Sequence, residues 1–278
     1  MTQTLKRRNK MELVYLYLIS PLHTGGTSQE GNLLGIARES HTDLPYVPSS
    51  TIRGKLRAIS NNTRDLLFGT ELNGSNQLEQ GSIWIGDGSI LWLPVPSLSH
   101  GVVWISCPLL LRRWSRLIGG TIANKASIPQ PNSTNLKDKS KKSPIYLKDA
   151  ILKFDDLKDW DDGFDDFIPE NAKDDIKNVI VLEDQHCATL IQMSLWRQVK
   201  IKLDEHKSVD GGFRYEEAIP PDTLMYFPWG ITSQSSGTSD TAKQTFQTLL
   251  GQPNQLLQIG GQESLGRGFI QLSYNQGI

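Results

Sequence analysis

Residues 12–20, ELVYLYLIS, place Leu13, Tyr15, Tyr17 and Ile19 on one side of an extended chain and Val14, Leu16 and Leu18 on the other. Successive strand residues face opposite ways, so this strand is apolar on both faces and must be covered on both, as a central strand is. At 278 residues the chain is long enough for one large domain or two small ones and can bury a core unaided. Its 37% hydrophobic and 21% charged residues argue against disorder and against a membrane protein. No run approaches the roughly 20 apolar residues of a bilayer helix. The basic start, MTQTLKRRNK, precedes an alternating strand with no small-residue cleavage site, which predicts a cytoplasmic protein with a frayed tail rather than a secreted one. Cys107 and Cys187 lie far apart without a CxxC partner, so neither a disulfide framework nor a cysteine zinc site is expected.

The formal charge of −1 hides an uneven distribution. Residues 1–57 carry eight Lys or Arg against four acids, while DDLKDWDDGFDDF at 155–167 concentrates the acids. An RNA-binding face and a solvated acidic segment can share one nearly neutral chain. In PSSTIRGKLRAIS, Ser49 and Ser50 are candidate N-caps, and Ile52, Leu56 and Ile59 form one apolar helical stripe. Strands are predicted at SIWIG, SILWLPV and GVVWISC, the first two joined by an Asp87-Gly88 turn, followed by a helix with Pro108 in its first turn. Residues 119–178 lose periodicity and read as a flexible charged insertion holding at most one helix. Order returns with VIVL, a helix from Asp184 to about Trp196, strands at QVKIKL, GGFRYEEAI and TLMYFPW, a helix over about 241–250, and strands LLQIGG and FIQLSY. The pattern predicts an α+β fold of ferredoxin-like βαββαβ topology, made of residues 1–118 and 179–278.

Three segments carry chemistry. The helix opening at Ser49 and Ser50 sets Arg53 and Arg57 one turn apart, with Lys55 on an adjacent face, where hydroxyls, helix dipole and cations converge on a phosphate track. The plain alternative is a solvated face opposite the apolar stripe. In QIGGQESLGRGFIQL, Gly260, Gly261, Gly266 and Gly268 bracket Arg267, and the backbone amides of such a loop can form an anion nest. An ordinary glycine turn is its alternative. The run QVKIKLDEHKSVDGGFRYEEAI predicts a charged-edge hairpin turning at Asp210-Gly211-Gly212, with Val209 and Phe213 making its tip apolar. Glu216 and Glu217, adjacent on a strand, point to opposite faces and do not serve one site. His23, in PLHTGG after the first strand, is either a hydrogen-bonding loop residue or a group that orients a phosphate.

Five ordered segments, YLISPLHTGG, IARESHTDLPYVPSSTIRGKLR, GDGSILWLPVPSLSHGVVWISCPLLL, RYEEAIPPDTL and IGGQESLGRGFIQL, resemble the RAMP superfamily, in particular the backbone subunits of type III-B CRISPR (Cmr) effectors. The resemblance spans nearly the whole chain. It implies a modified RRM-like palm, a thumb hairpin over residues 201–217, and copies that polymerise along a guide crRNA among other Cmr subunits. In that family the serine-rich helix start and the glycine-rich loop grip the guide, which matches Ser49, Ser50, Arg53, Lys55, Arg57, Gly260, Gly261, Gly266, Arg267 and Gly268. The thumb, here Val209, Asp210, Gly211, Gly212, Phe213, Tyr215 and Glu217, disrupts one base pair with a single-stranded target RNA.

The family also implies target cleavage with Mg²⁺ or another divalent cation and an aspartate six residues before a glutamate. Here that glutamate is Glu39, Arg38 and Ile36 also match, but Leu33 stands at the aspartate position and Gly35 at a proline. A one-residue shift offers Asn32, and the nearest loop acid is Glu30, with His23 as an orienting partner. A structural RNA scaffold, a metal-dependent endoribonuclease and a stand-alone RNA-processing nuclease of the superfamily are the functional alternatives.

Overall fold

The structure is a computed structural model that describes residues 11–30, 33–70, 80–118, 127–233, 239–251 and 256–274. Strand β1 (Glu12–Leu18) forms as its pattern demands: Val14, Leu16 and Leu18 are buried on one face, Leu13 and Tyr15 on the other. It is followed by β2 (Gly25–Glu30), β3 (Leu33–Ile36), β4 (Tyr46–Val47), α1 (Ser49–Ile59) and α2 (Arg64–Phe68). Next come β5 (Ile83–Ile85), β6 (Gly88–Ser97), β7 (Gly101–Ser106) and α3 (Pro108–Leu117). Short strands β8 (Ser133–Thr134), β9 (Ile145–Leu147), β10 (Ala150–Leu152) and β11 (Lys158–Asp159) precede β12 (Val179–Val181) and α4 (Asp184–Met193). The chain closes with β13 (Trp196–Leu203), β14 (Val209–Ala218), β15 (Leu224–Ile231), α5 (Ser239–Leu250), β16 (Leu256–Gln258) and β17 (Phe269–Ser273).

The large sheet runs β11-β8-β12-β7-β6-β15-β1-β17-β16. At its centre β6, β15, β1 and β17 are antiparallel to their neighbours, with β1 flanked by β15 (Tyr15 opposite Tyr226) and β17 (Leu16 opposite Leu272). One face packs Val14 and Leu16 with Ile52 and Leu56 of α1 and Phe246 of α5. The other packs Leu13 and Tyr15 with Trp92, Trp114 of α3, and Phe167 and Ile168. Both faces of the sheet are therefore closed, and contacts with a partner must come from edges, loops and projections.

Several expectations are corrected. The pattern of 119–178 predicts a flexible insertion, but the described part, 127–178, pairs β8 with β12 and buries Phe164, Phe167, Ile168, Ala172 and Ile176. Its scattered aromatics have no helix or strand period because they sit on short 3-10 turns, such as Asp162–Phe167, that pin them to the sheet. Asp87-Gly88 is not a hairpin turn. Both β5 and β6 pair with β15, end to end, and Gly86 lies so near Pro228 that a Cβ would approach its Cγ to 2.7 Å. Asp87 instead accepts the Ser49 amide at 2.6 Å, while Pro48 holds the N-cap position of α1, so neither Ser49 nor Ser50 caps with its side chain. Helix α4 ends at Met193, and Trp196 opens β13.

The second sheet, β13-β14-β3-β2, carries the hairpin. The turn lies at residues 204–208, where Asp204 Oδ1 accepts the amides of His206 at 2.9 Å and Ser208 at 2.8 Å and Lys207 takes φ 60°. Asp210, Gly211 and Gly212 lie inside β14, where the two glycines adopt φ +81° and +91° beside a shift of register between Ile201 and Leu203. The side chain of Asp204 closes the turn, a signal weaker in sequence than the Asp-Gly pair it displaced.

Candidate nucleic-acid interface

Helix α1 carries the predicted cations along its length, with Arg57 in its last turn. Arg53 Nη2 donates to the Phe68 carbonyl at 2.6 Å and Arg57 Nη1 to the same oxygen at 3.3 Å, while the Arg53 guanidinium lies 5.3 Å from the centre of the Phe68 ring. Burial, and then the charge of Arg57, lower the Arg53 pKa. Two cations drawn together on one carbonyl concentrate positive potential that an anion would relieve. Ser50 is exposed, and Ser49 and Lys55 are partly exposed on the same helix.

The glycine loop needs its glycines for close packing. A Cβ at Gly268 (φ +78°) would sit 1.9 Å from the Ile259 oxygen, and one at Gly260 (φ +75°) 2.5 Å from the His23 oxygen. The amides of Gly261, Gly266 and Gly268 donate to His23 at 2.9 Å, Glu263 at 2.9 Å and Pro21 at 2.9 Å. Those three amides are occupied within the fold, so the expected nest does not form from them. Arg267 is also turned inward: it is 3% exposed, with Nη2 donating to Gln198 Oε1 at 2.8 Å and Nη1 3.7 Å from Glu216 Oε2. It contacts the hairpin, whose Glu216 carboxylate faces its guanidinium.

The loop after β1 sits beside these elements. His23 is buried, and its Nδ1–H donates to the Glu217 carbonyl at 2.7 Å, a tautomer assigned from that partner. His23 bridges Gly261, and Ala37, whose amide donates to the Thr24 carbonyl, in turn accepts the Tyr46 amide just before α1. Backbone pairings therefore link the glycine loop, through His23, Thr24 and Ala37, to Tyr46 just before α1. Leu33 lies opposite Tyr215 of β14 and Glu30 of β2. Asn32 falls outside the described residues, and Glu30 is described by its backbone alone.

A divalent cation needs oxygen donors with uncompensated charge. Among the described side chains here Leu33 offers none, Glu216 faces Lys200 and Arg267, and Glu217 faces Arg38 and Arg197. No group of three His, Cys, Asp or Glu among the described residues could hold a metal. None of these three side chains offers Mg²⁺ an uncompensated carboxylate.

The hairpin has two unlike faces. Val199 opposite Tyr215 and Ile201 opposite Phe213 make an exposed apolar face, continued by Leu203 and Val209, with the Phe213 and Tyr215 rings edge-on at 5.5 Å. Lys200 opposite Arg214 lines the other. At the root Glu216 and Glu217 are buried on opposite faces, as their adjacency predicts. Sequence reading assigned no role to Arg38, Gln198 or Lys200, which complete this root. The match of Arg38 to the family pattern was the available signal.

Among the described residues no helix is long and apolar enough to cross a membrane. Over 291 aligned residues the chain is 26% identical to the CRISPR system Cmr endoribonuclease Cmr4 of Pyrococcus furiosus (strain ATCC 43587 / DSM 3638 / JCM 8422 / Vc1), covering 96% of each. Its fold resembles the crystal structure of oligomeric Cmr4 from Pyrococcus furiosus at TM-score 0.71 and 23% identity, covering 96% of this chain and 98% of that one. It also resembles a chain of the cryo-EM structure of type III-B Cmr-beta bound to cognate target RNA, at TM-score 0.73 and 20% identity, over 95% and 96% of the two chains. The RAMP superfamily model matches residues 15–271, which is almost all of the architecture described above, and the chain belongs to that superfamily.

Proposed function

We propose that this chain is a guide-RNA-binding backbone subunit of a type III-B CRISPR (Cmr) effector, polymerising along the crRNA beside other Cmr subunits in the cytoplasm and presenting a single-stranded target RNA. The observation that carries the reading is the placement of an apolar-faced hairpin whose root adjoins both the glycine loop and the path to α1. The strand order β6-β15-β1-β17 with α1 and α5 on one face supports a modified RRM-like palm. Unlike an RRM that stacks bases on its open sheet, this sheet is covered on both faces, so the guide backbone runs along α1 and the loops. The hairpin is the thumb, and its apolar face meets bases displaced from pairing. Purification of the natural assembly tests this: native mass spectrometry is expected to show several copies around one RNA. A lone, RNA-free chain overturns it.

The relative named an endoribonuclease supports a second reading, cleavage of target RNA by this subunit. Leu33 at the family's aspartate position and the compensated carboxylates nearby favour slow or absent cleavage here. Regularly spaced target fragments should be weak or missing in Mg²⁺ and should increase in Leu33→Asp. Robust spaced cleavage by the natural protein that survives Glu30→Ala overturns this account of the loop.

A further inference from the structure

The hairpin is a two-stranded ribbon whose outer length is exposed on both faces. Its strand-to-strand attachment among the described residues is short: β14 meets β3 at Tyr215–Leu33 and Glu216–Leu34. A ribbon held this way swings readily about its root. Two buried carboxylates oppose that motion. Glu216 lies 2.8 Å from Lys200 and 3.7 Å from Arg214, and Glu217 lies 3.0 Å from Arg197, but these cations all belong to the hairpin itself. Among the described residues, two cations reach the carboxylates from outside the hairpin. Arg38, after β3, donates to Glu217 Oε2 at 2.8 Å and also to Gln192 of α4. Arg267, in the glycine loop, lies 3.7 Å from Glu216 and donates to Gln198 at 2.8 Å. Gln198 and Glu216 are register partners, so Arg267 spans both strands of the ribbon.

We infer that Arg38 and Arg267 are positioning residues that set the angle of the hairpin, gripping its root from opposite faces. A single grip leaves rotation about one contact, whereas two grips on opposite faces of one strand remove it. The glycine loop enters this clamp as a rigid part. Gln258 Nε2 donates to the carbonyls of Ile259, Gly260 and Arg267 at 3.2, 3.3 and 3.2 Å, which ties the two stems of the loop together and fixes where Arg267 emerges. The assignment deepens the proposed function, on which its relevance to RNA rests: it makes the spacing between guide-binding loops and thumb a property of two ion pairs.

Spin labels at Glu205→Cys on the turn and Lys148→Cys on the body report the angle in the full chain, since Cys107 and Cys187 are 2% and 0% exposed. The parent protein is expected to give one narrow distance distribution. Arg38→Met and Arg267→Met keep the packing of the stem and remove the charge; each should about double the width, and the pair together should broaden it further. Arg38→Lys and Arg267→Lys should recover most of the narrowness, a rescue that loss of packing alone does not produce. Because both carboxylates keep partners within the hairpin, the Met variants are expected to fold. Should either fail to, Glu216→Gln and Glu217→Gln serve in its place and should broaden the distribution likewise. Unchanged widths in folded variants overturn the assignment. Guide-RNA co-purification separates the two readings: broadening in a chain that binds no RNA supports the clamp and overturns the proposed function.

Discussion

Gly268 and Gly211 share a positive φ, +78° and +81°, and differ in what surrounds them. Gly268 has the Ile259 carbonyl where a side chain would go, while Gly211 has open space. Gly211→Ala should cost about 1–2 kcal/mol, the left-handed backbone penalty alone. Gly268→Ala adds a backbone clash and should cost about 3 kcal/mol or more. Thermal melts check the ranking at roughly 2–4 °C per kcal/mol. The cations of α1 make a second residue-scale prediction. Arg53→Glu with Arg57→Glu should weaken RNA binding for every sequence and reduce the slope of log affinity against log salt by about 1.4, for two single-strand phosphate contacts. An unchanged slope would remove these residues from the interface. Arg267, buried against Glu216, is expected to alter that slope little when changed to Met.

At the scale of elements, the hairpin root responds to acid. Burial alone would raise the Glu216 pKa, but the hydrogen bond and charge of Lys200, a hydrogen bond from Gln262 and the charge of Arg267 outweigh it and leave it below the ordinary 4.5. Arg214 also faces the carboxylate, at 3.7 Å. A carboxylate depressed on folding contributes stability above its unfolded pKa and loses it as pH falls through the lower folded value. The attachment of the hairpin should therefore be constant from neutral pH down to about 5 and weaken below the ordinary carboxylate range. Protection of residues 196–218 against hydrogen exchange, taken relative to the intrinsic amide rate at each pH, should fall at the acid end in the parent protein. In Glu216→Gln that fall should shrink.

Across the whole molecule, the segment 127–178 does for one sheet face what α1 and α5 do for the other. Replacing it with a short linker would uncover Leu13, Tyr15, Trp92 and Trp114 at once. That apolar patch is large enough to drive association. The shortened chain is expected to aggregate or to bind a hydrophobic dye strongly, with the helical signal of α1 and α5 retained. A monodisperse, dye-silent product would show that the segment is dispensable to the core.

The two-sided burial of β1, the stripe of α1 and the opposed directions of Glu216 and Glu217 were legible in the sequence, because strand and helix periods are local rules that tertiary packing here obeyed. The cations at Arg53 and Arg57 were legible for the same reason: one helical turn brings them together whatever lies around them. Which groups compensate one another was not legible. The ion pairs of Arg267 with Glu216 and Arg38 with Glu217 join residues 51 and 179 positions apart, brought together only by the meeting of sheet, loop and hairpin. The glycine amides turned inward, and the cap of α1 came from Asp87 rather than Ser49, for a related reason. A donor or charge takes whichever partner the folded chain sets nearest, and local pattern carries no record of distant neighbours.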